Sequence, residues 1–327
     1  MTLSPAAFAL LRRLSDGELH SGESLAAAIG MTRARVSQVL RQAELGGLAL
    51  ERVRGRGYRL IGATPFLDRE LIVAALRARA PGMTIEVVDS IDSTNSELLR
   101  RSPQRDLHRH LLAAEWQHAG RGRRGRAWSA VAGGSLTFTL GWKFEQPVGF
   151  LSALPLAVGV AIARALESSG VHGVGLKWPN DLVHDAAKLG GMLIELAGDA
   201  LGPSFVVIGV GINVRLPQSL REGIGQAVTD LASIAAPVDR NRLLADIAAE
   251  LHAVLSRYGR DGFVAFRAEW LRRHALHDRL VEVRLPNGGV THGMVAGVDE
   301  RGALLLDRDG RRMRFVSGEV SVRGARR

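Results

Sequence analysis

The chain has 327 residues, long enough for two or three domains, and 46% of them are hydrophobic, as in globular proteins. It contains no cysteine, which excludes disulfides, thiolate catalysis and cysteine-bound zinc. The formal net charge of +10 predicts an anionic partner without identifying it. Because there is no apolar run long enough for a membrane span and no signal-peptide pattern, we expect a cytoplasmic protein without a membrane partner.

Residues 1–65 are predicted to form a winged helix-turn-helix DNA-binding domain. The apolar spacing predicts helices over 5–16, 24–29 and 32–45, followed by strands over 48–53 and 58–61. Side chains suited to phosphates and base edges lie on the third helix and at the tip between the strands: Thr32, Arg33, Arg35, Ser37, Gln38, Arg41, Arg54 and Arg56. The alternative is a helical interaction module whose arginines are merely solvated.

Residues 66–275 alternate strand-like runs with longer helical ones. Strands are predicted at 84–88, 111–116, 135–142, 174–178, 189–196 and 205–214. Helices are predicted at 67–78, 95–101, 154–168, 240–258 and 262–274. Because consecutive strands are joined by short turns, the predicted class is α+β with a central mixed or antiparallel sheet.

Residues 276–327 are predicted to form a small C-terminal β-barrel of the SH3-like kind. The pattern consists of short strands over 281–285, 291–298, 303–307 and 312–316, with a glycine-containing turn at 286–289. The chain is therefore divided into three predicted domains.

The segment 120–128, G-R-G-R-R-G-R-A-W, places four guanidiniums among three glycines. Such charge is expensive to bury, whereas glycine lets backbone amides approach a ligand and arginine binds carboxylate or phosphate oxygens. The segment matches G-x-G-x-x-G, but a dinucleotide-binding turn needs a helix directly after it, and a strand-like run follows instead. An RNA-binding Arg/Gly tract is also disfavoured, because those are long and repeated. We predict a loop that binds a dense anion.

The stretch Lys177-Trp178-Pro179-Asn180-Asp181 places a lysine at the end of an apolar strand. A fixed ammonium there could neutralise charge that develops on phosphorus or a carboxylate; the alternative is a lysine that snorkels to water. Asp181 could pair with this lysine, help to hold a metal ion, or cap a turn.

Two later strands, 188–195 and 206–213, contain glycines that indicate close approach by a ligand or a neighbouring element. Asn213 ends the second strand, where its amide could read a base edge such as adenine or simply form a turn. The stretch 89–95 leads from a strand into a helix; its hydroxyls could cap that helix or hold a polar ligand group.

Taken in order, five stretches resemble biotin–protein ligases: D-S-T-N (92–95), Q-H-A-G-R-G-R-R-G-R-A-W (117–128), K-W-P-N-D (177–181), K-L-G-G-M-L-I-E-L (188–196) and G-V-G-I-N (209–213). With its flanking domains, the whole chain resembles the bifunctional bacterial type, a biotin–[acetyl-CoA-carboxylase] ligase that also represses the biotin operon. The departures are minor: His118 replaces a second amide, and Gly190-Gly191 adds a glycine.

The resemblance implies a class II synthetase-like central domain that forms biotinyl-5′-AMP from biotin and ATP with Mg²⁺. Biotin is then transferred to a lysine of the biotin carboxyl carrier protein. The adenylate would also promote a homodimer that binds biotin operator DNA. Rival interpretations are a regulator that senses a ligand without turnover and a lipoate ligase, which the Gly-Arg loop and the winged helix disfavour.

The resemblance also assigns roles to individual residues. Biotin would be bound by Ser93, Thr94, Asn95, Gln117, Gly120, Arg121, Gly122, Arg123 and Lys177. Catalysis would depend on Lys177, Arg123 and Arg121. ATP or the adenylate would be bound by Arg123, Arg126, Trp128, Asn180 and Asn213. Asp181 is the candidate contact for the metal.

Overall fold

The computed structural model describes residues 3–45, 48–62, 65–197, 203–284, 289–316 and 321–324. Residues 63–64, next to the predicted domain boundary after residue 65, and residues 286–288 of the predicted turn 286–289 lie outside these ranges. Within them, no helix combines the length and the apolar character that crossing a membrane requires.

The N-terminal segment, residues 3–62, contains three helices and a hairpin. Its elements are α1 (Pro5–Leu14), α2 (Gly22–Ile29), α3 (Arg33–Leu45), β1 (Leu50–Val53) and β2 (Gly57–Leu60). The hydroxyl of Ser4 accepts a hydrogen bond from the backbone of Ala7 and so caps α1. Gly30 ends α2 at φ 65°, a left-handed conformation that glycine adopts without strain. The strands pair antiparallel, so the predicted helices and strands are present with small shifts at their ends.

The central sheet has seven strands in the order β3-β4-β5-β9-β8-β7-β6. Their bounds are β3 (Thr84–Ile91), β4 (His110–Gln117), β5 (Ser135–Phe144), β6 (Gly175–Lys177), β7 (Asp181–His184), β8 (Ala187–Ala197) and β9 (Ser204–Asn213). Strands β3 and β4 are parallel and the other neighbours are antiparallel, which confirms the predicted mixed sheet. Strand β7 was not predicted, because its four residues lack a clear alternation.

Helices cover this sheet and surround the central core. They are α4 (Arg69–Leu76), α5 (Thr94–Arg101), α6 (Leu154–Ser168), α7 (Gln218–Gly223), α8 (Leu231–Ile234), α9 (Arg240–Asp261) and α10 (Val264–Arg272). Helix α6 is buried along most of its length, and α9 supplies a matching row of buried leucines. The bounds of α6 are those predicted, because its apolar run is long. The short α7 and α8 were missed.

The C-terminal segment forms a five-stranded antiparallel sheet in the order β13-β12-β11-β10-β14. Its strands are β10 (Leu280–Arg284), β11 (Val290–Val298), β12 (Leu304–Arg308), β13 (Arg311–Phe315) and β14 (Ser321–Gly324). The indole N–H of Trp178 donates to the carbonyl of Gly302 at 2.9 Å. The C-terminal sheet is therefore joined to the residue that follows Lys177.

A buried ion pair fixes the segment that enters the central sheet. The Nη2 of Arg240 lies 2.9 Å from both carboxylate oxygens of Glu115, and the two side chains are 1% and 0% exposed. The same guanidinium donates to the carbonyl of Pro65 at 3.0 Å, and the backbone N–H of Leu67 donates to Glu115. Because an unpaired buried charge is strongly unfavourable, this network holds the segment against the end of β4.

Candidate active site

A cavity of about 210 Å³ opens on the central sheet. It is lined by thirteen of the residues singled out from the sequence: Ser93, Thr94, Asn95, Gln117, Arg121, Gly122, Arg123, Arg126, Trp128, Lys177, Asn180, Asp181 and Asn213. They come from four of the five stretches described above, and Gly191, Met192 and Leu193 of the fifth stretch also line the cavity. The fold therefore brings the predicted motifs to one place.

One end of the cavity is a buried network of hydroxyls and amides. The backbone N–H and the hydroxyl of Thr94 lie 2.8 and 3.2 Å from Oε1 of Gln117. The hydroxyl of Thr139 lies 2.7 Å from that of Thr94 and 2.6 Å from Oδ1 of Asn95. Ser93, which caps α5, is also buried here. Such a network presents donors and acceptors in fixed directions, as recognition of a small polar group requires.

The side-chain amide of Asn95 packs directly against the backbone of β9 at Gly209. Gly209 pairs with Thr139 of β5 on one side and with Leu193 of β8 on the other. A Cβ atom at Gly209 would lie 2.1 Å from Oδ1 of Asn95, so this position has no room for a side chain. The predicted close approach to this strand is therefore confirmed, and the approaching group is a neighbouring side chain.

The Gly-Arg loop is a short hairpin whose residues also line the cavity. The backbone N–H of Gly122 donates to the carbonyl of Arg126 at 2.7 Å, and that of Trp128 donates to Gly120 at 2.9 Å. At its tip Arg124 has φ 57°, in the left-handed region, and Gly125 follows at φ 71°. The loop is therefore closed by its own backbone, which leaves the arginine side chains to form contacts outside the hairpin.

Gly120 differs from the other predicted site residues, because it is buried and does not line the cavity. A Cβ atom there would meet the carbonyl oxygen of Trp128 at 2.6 Å. Its position at the neck of the hairpin is explained by close packing; contact with biotin stays a prediction.

Arg123 contacts the turn between β6 and β7. Its Nη1 donates to Oδ1 of Asn180 at 3.0 Å, and Asn180 donates to the carbonyl of Met192 at 2.6 Å. Burial and repulsion from Arg124 lower the pKa of the Arg123 guanidinium. A bound anion would relieve that penalty, so the arrangement favours a phosphate or carboxylate beside Arg123.

Trp128 packs its indole on β9. A Cβ atom at Gly211 would lie 2.4 Å from Cε2 of Trp128, so the glycine makes the space for the ring. Its indole nitrogen is buried without a hydrogen-bond partner. Trp128 therefore anchors the end of the hairpin to the cavity floor.

The lysines that line the cavity come from two strands of the central sheet. Lys177 is the last residue of β6, and Lys188 is the second residue of β8, with Nζ 2.7 Å from Oδ1 of Asp181. Of the alternatives for Asp181, pairing with a lysine is therefore observed, with Lys188 as the partner; pairing with Lys177 stays a prediction. Within the described ranges no three His, Asp or Glu side chains form a metal-binding group, so metal binding by Asp181 stays a prediction.

Asn213 is buried at the end of β9. Its Nδ2 donates to the carbonyl of Thr229 at 3.0 Å and lies 3.4 Å from the carbonyl of Lys188. These contacts occupy Nδ2 and fix the amide, so a contact between Asn213 and adenine would use Oδ1. That contact stays a prediction.

Several cavity residues were not predicted. Lys188 appears in the motifs only as the first residue of the stretch 188–196, with no role assigned, and Ile224, Gln226 and Val228 lie in an irregular segment with no recognisable motif. The backbone of Lys188 holds this segment, donating to the carbonyl of Ala227 at 2.9 Å. No local signal could have found it, because its place depends on pairing between distant residues.

The residues predicted to bind DNA lie on the surface of the N-terminal segment. Exposed side chains on α3 and at the tip of the hairpin include Thr32, Arg33, Arg35, Gln38, Arg41, Arg54 and Arg56, while Ser37 is half-buried. Nη1 of Arg35 donates to Oε1 of Gln38 at 2.7 Å. The predicted basic face is therefore accessible, and its binding of DNA stays a prediction.

Comparisons with known proteins agree with the geometry. Residues 87–213 match the model of the biotin/lipoate A/B protein ligase family, and residues 277–323 match the biotin protein ligase C terminal domain. A Salmonella typhimurium protein named bifunctional ligase/repressor BirA is 34% identical over 316 residues, which are 97% of each chain. A Mycobacterium tuberculosis protein named biotin–[acetyl-CoA-carboxylase] ligase is 33% identical over 78% of this chain and 95% of its own.

Among solved structures, the biotin protein ligase from Aquifex aeolicus in complex with biotin and ATP is similar in fold. Its TM-score is 0.64 at 27% identity, and the match covers 74% of this chain and 99% of the Aquifex chain. The central sheet with its helices and the C-terminal β domain are thus shared with a protein whose structure contains biotin and ATP together.

Proposed function

The chain belongs to the biotin/lipoate A/B protein ligase family, and we propose that it is an ATP-dependent biotin–protein ligase. The observation that carries this proposal is the single cavity in which a buried polar network faces an arginine hairpin and a lysine. A polar head and an anionic centre can bind there side by side, as a carboxylic acid and a nucleotide must for activation.

The first step is attack of the biotin carboxylate on the α-phosphorus of ATP, which forms biotinyl-5′-AMP and releases pyrophosphate. Thr94, Asn95 and Gln117 hold the biotin head at the polar end. Lys177 and Arg123 neutralise charge where carboxylate and phosphate meet, since fixed cations in a site shielded from water stabilise developing negative charge. Arg126 contacts the ATP phosphates, and Asn180 keeps Arg123 in place.

The second step is attack of a lysine ε-amine of the biotin carboxyl carrier protein on the mixed anhydride. The amine displaces AMP and forms an amide with biotin. Arg121, Arg123 and the backbone of Gly122 retain the adenylate until the acceptor arrives, and Trp128 anchors the hairpin that covers it. Asn213 borders the adenine.

Asp181 is the carboxylate that the cavity-lining residues offer to Mg²⁺. Mg²⁺ is usually held by one or two carboxylates together with substrate phosphates, so the site fits the ion when ATP supplies the other oxygens. When bound, the ion would add positive charge beside the leaving pyrophosphate. Asp181 would then leave its pairing with Lys188.

We propose in addition that the chain is a repressor of the biotin operon. Residues 1–65 would be a winged helix-turn-helix domain, residues 66–275 the ligase domain, and residues 276–327 an SH3-like barrel. The observation that favours repression is the exposed basic face of α3 and the hairpin tip. A homodimer formed on adenylate binding would place two such faces on a two-fold operator.

Biotin-dependent exchange of labelled pyrophosphate into ATP tests the first step. We expect exchange that requires biotin, ATP and Mg²⁺ together. Biotin binding without exchange would instead support a regulator that senses its ligand without turnover. Repression is tested separately by titrating operator DNA with and without biotin and ATP; binding that ignores both ligands would contradict the corepressor role.

A further inference from the structure

One carboxylate oxygen of Glu195 connects the polar network to the Gly-Arg hairpin. Oε2 accepts a hydrogen bond from Nδ2 of Asn95 at 2.8 Å and from Nη2 of Arg121 at 2.7 Å. Asn95 lies in the first turn of α5, Arg121 opens the Gly-Arg hairpin, and Glu195 lies on β8. The proposed steps give roles to Asn95 and Arg121 but none to Glu195, which bonds both of them.

The first consequence concerns the orientation of the Asn95 amide. One Nδ2 hydrogen points to the carbonyl of Leu193 at 3.1 Å and the other to Glu195 at 2.8 Å. The reverse orientation would place Oδ1 against two acceptors, which is unfavourable in a buried site. The acceptor Oδ1 is therefore held toward Thr139, at 2.6 Å, on the side of the polar network.

The second consequence concerns Arg121. Its side chain is 42% exposed and that of Glu195 is 25% exposed, so water screens their attraction. The pair therefore restrains the arginine beside the cavity without removing it from solvent. Because such an exposed ion pair contributes little free energy, Arg121 can leave Glu195 and bind the carboxylate of a substrate instead.

We propose that Glu195 is a positioning residue of the ligase, which orients the Asn95 amide for the biotin head and holds Arg121 at the cavity edge. This role rests on the proposed function. Glu195 acts through Asn95 and Arg121 and does not itself need to touch the reacting atoms.

The test is Glu195→Gln, which keeps the shape but removes the charge and one acceptor. A charged acceptor binds an amide about twice as strongly as a neutral one. We expect the KM for biotin to rise by about tenfold, with kcat within about threefold of the wild type and the affinity for ATP unchanged. An unchanged KM for biotin, or a loss confined to kcat, would overturn the proposal.

A double-mutant cycle separates positioning from general damage. If Glu195 acts through Asn95, then adding Glu195→Gln to Asn95→Ala should raise the KM for biotin less than it does in the wild type. Fully additive effects would contradict this path. Glu97→Gln is the matched control, because that carboxylate bonds Arg100 and Arg101 on the outer face of α5, and its KM for biotin should not change.

Thermal unfolding of each variant reveals any loss of the fold. Absence of biotin-dependent exchange in the wild type would overturn the proposed function itself. Wild-type exchange together with an unaffected Glu195→Gln variant would overturn only the positioning role.

Discussion

Gly209→Ala would disturb the polar end of the cavity, because the three atoms nearest to the new methyl group all belong to Asn95. The new methyl group would lie 2.1 Å from Oδ1, 2.8 Å from Cγ and 2.9 Å from Nδ2 of Asn95. Real Cβ contacts essentially never fall below 3.0 Å, so the amide must move by roughly 1 Å. The displaced amide would weaken its bonds to Thr139, Leu193 and Glu195.

The size of the effect follows from those bonds. Each buried polar group left without its partner costs about 1–3 kcal/mol, and about 1.4 kcal/mol is tenfold in affinity. We therefore expect the Kd for biotin to rise about 10- to 100-fold. Overpacking should lower the free energy of unfolding by about 1–3 kcal/mol, because the strand and the amide compete for one space.

Isothermal titration with biotin, and separately with ATP, measures this effect. ATP affinity should stay close to the wild-type value, because the atoms nearest to the new methyl group belong to Asn95 and not to the arginines that would bind phosphate. Gly149→Ala is the matched control, since a Cβ there meets nothing within 4 Å. A Kd for biotin within twofold of the wild type, or an equal loss of ATP affinity, would refute the reasoning.

Further variants separate the remaining parts of the site. Arg123→Gly should let the adenylate escape and label nearby proteins, because the guanidinium held by Asn180 is lost; tight retention, measured by filtration, would contradict its role. Lys177→Ala should lower pyrophosphate exchange at least 100-fold while biotin affinity changes less than threefold, as expected for charge stabilisation worth about 3 kcal/mol in the transition state. His274 is buried with neither ring nitrogen bonded, and burial lowers its pKa to about 3. The unfolded state, with a pKa near 6.5, binds more protons below that pH, so stability should fall from pH 6.5 toward 3, by about 2 kcal/mol at pH 5. In urea titrations, His274→Phe should remove this pH dependence of the free energy of unfolding. An unchanged pH profile would show that other groups cause it.

Long periodic elements were predictable from the chain because their signal is local. The apolar run of α6 predicts a helix over 154–168, and the structure has those bounds. Strand β7 and helix α8 were missed because each has only four residues, too few for a periodic pattern. Their form depends on neighbours that lie elsewhere in the chain.

The same distinction holds for the site. The motifs predicted which residues meet, since thirteen of them line one cavity. They could not predict that Glu195 bonds Arg121, 74 positions away, or that Asp181 pairs with Lys188. Such contacts depend on strand register, because a shift of one residue would move every side chain of a strand to the other face of the sheet. The glycines within β9 predicted a close approach, and the structure shows that Asn95 and Trp128 are the side chains that pack there.

The most direct measurement is transfer to an acceptor. Purified protein, biotin, MgATP and a biotin carrier domain are incubated, and the mass of the carrier is measured by mass spectrometry. The account predicts a gain of one biotin that requires ATP and the acceptor lysine, and that Lys177→Ala slows at least about 100-fold. An unmodified carrier, with biotin still bound to the protein, would contradict it.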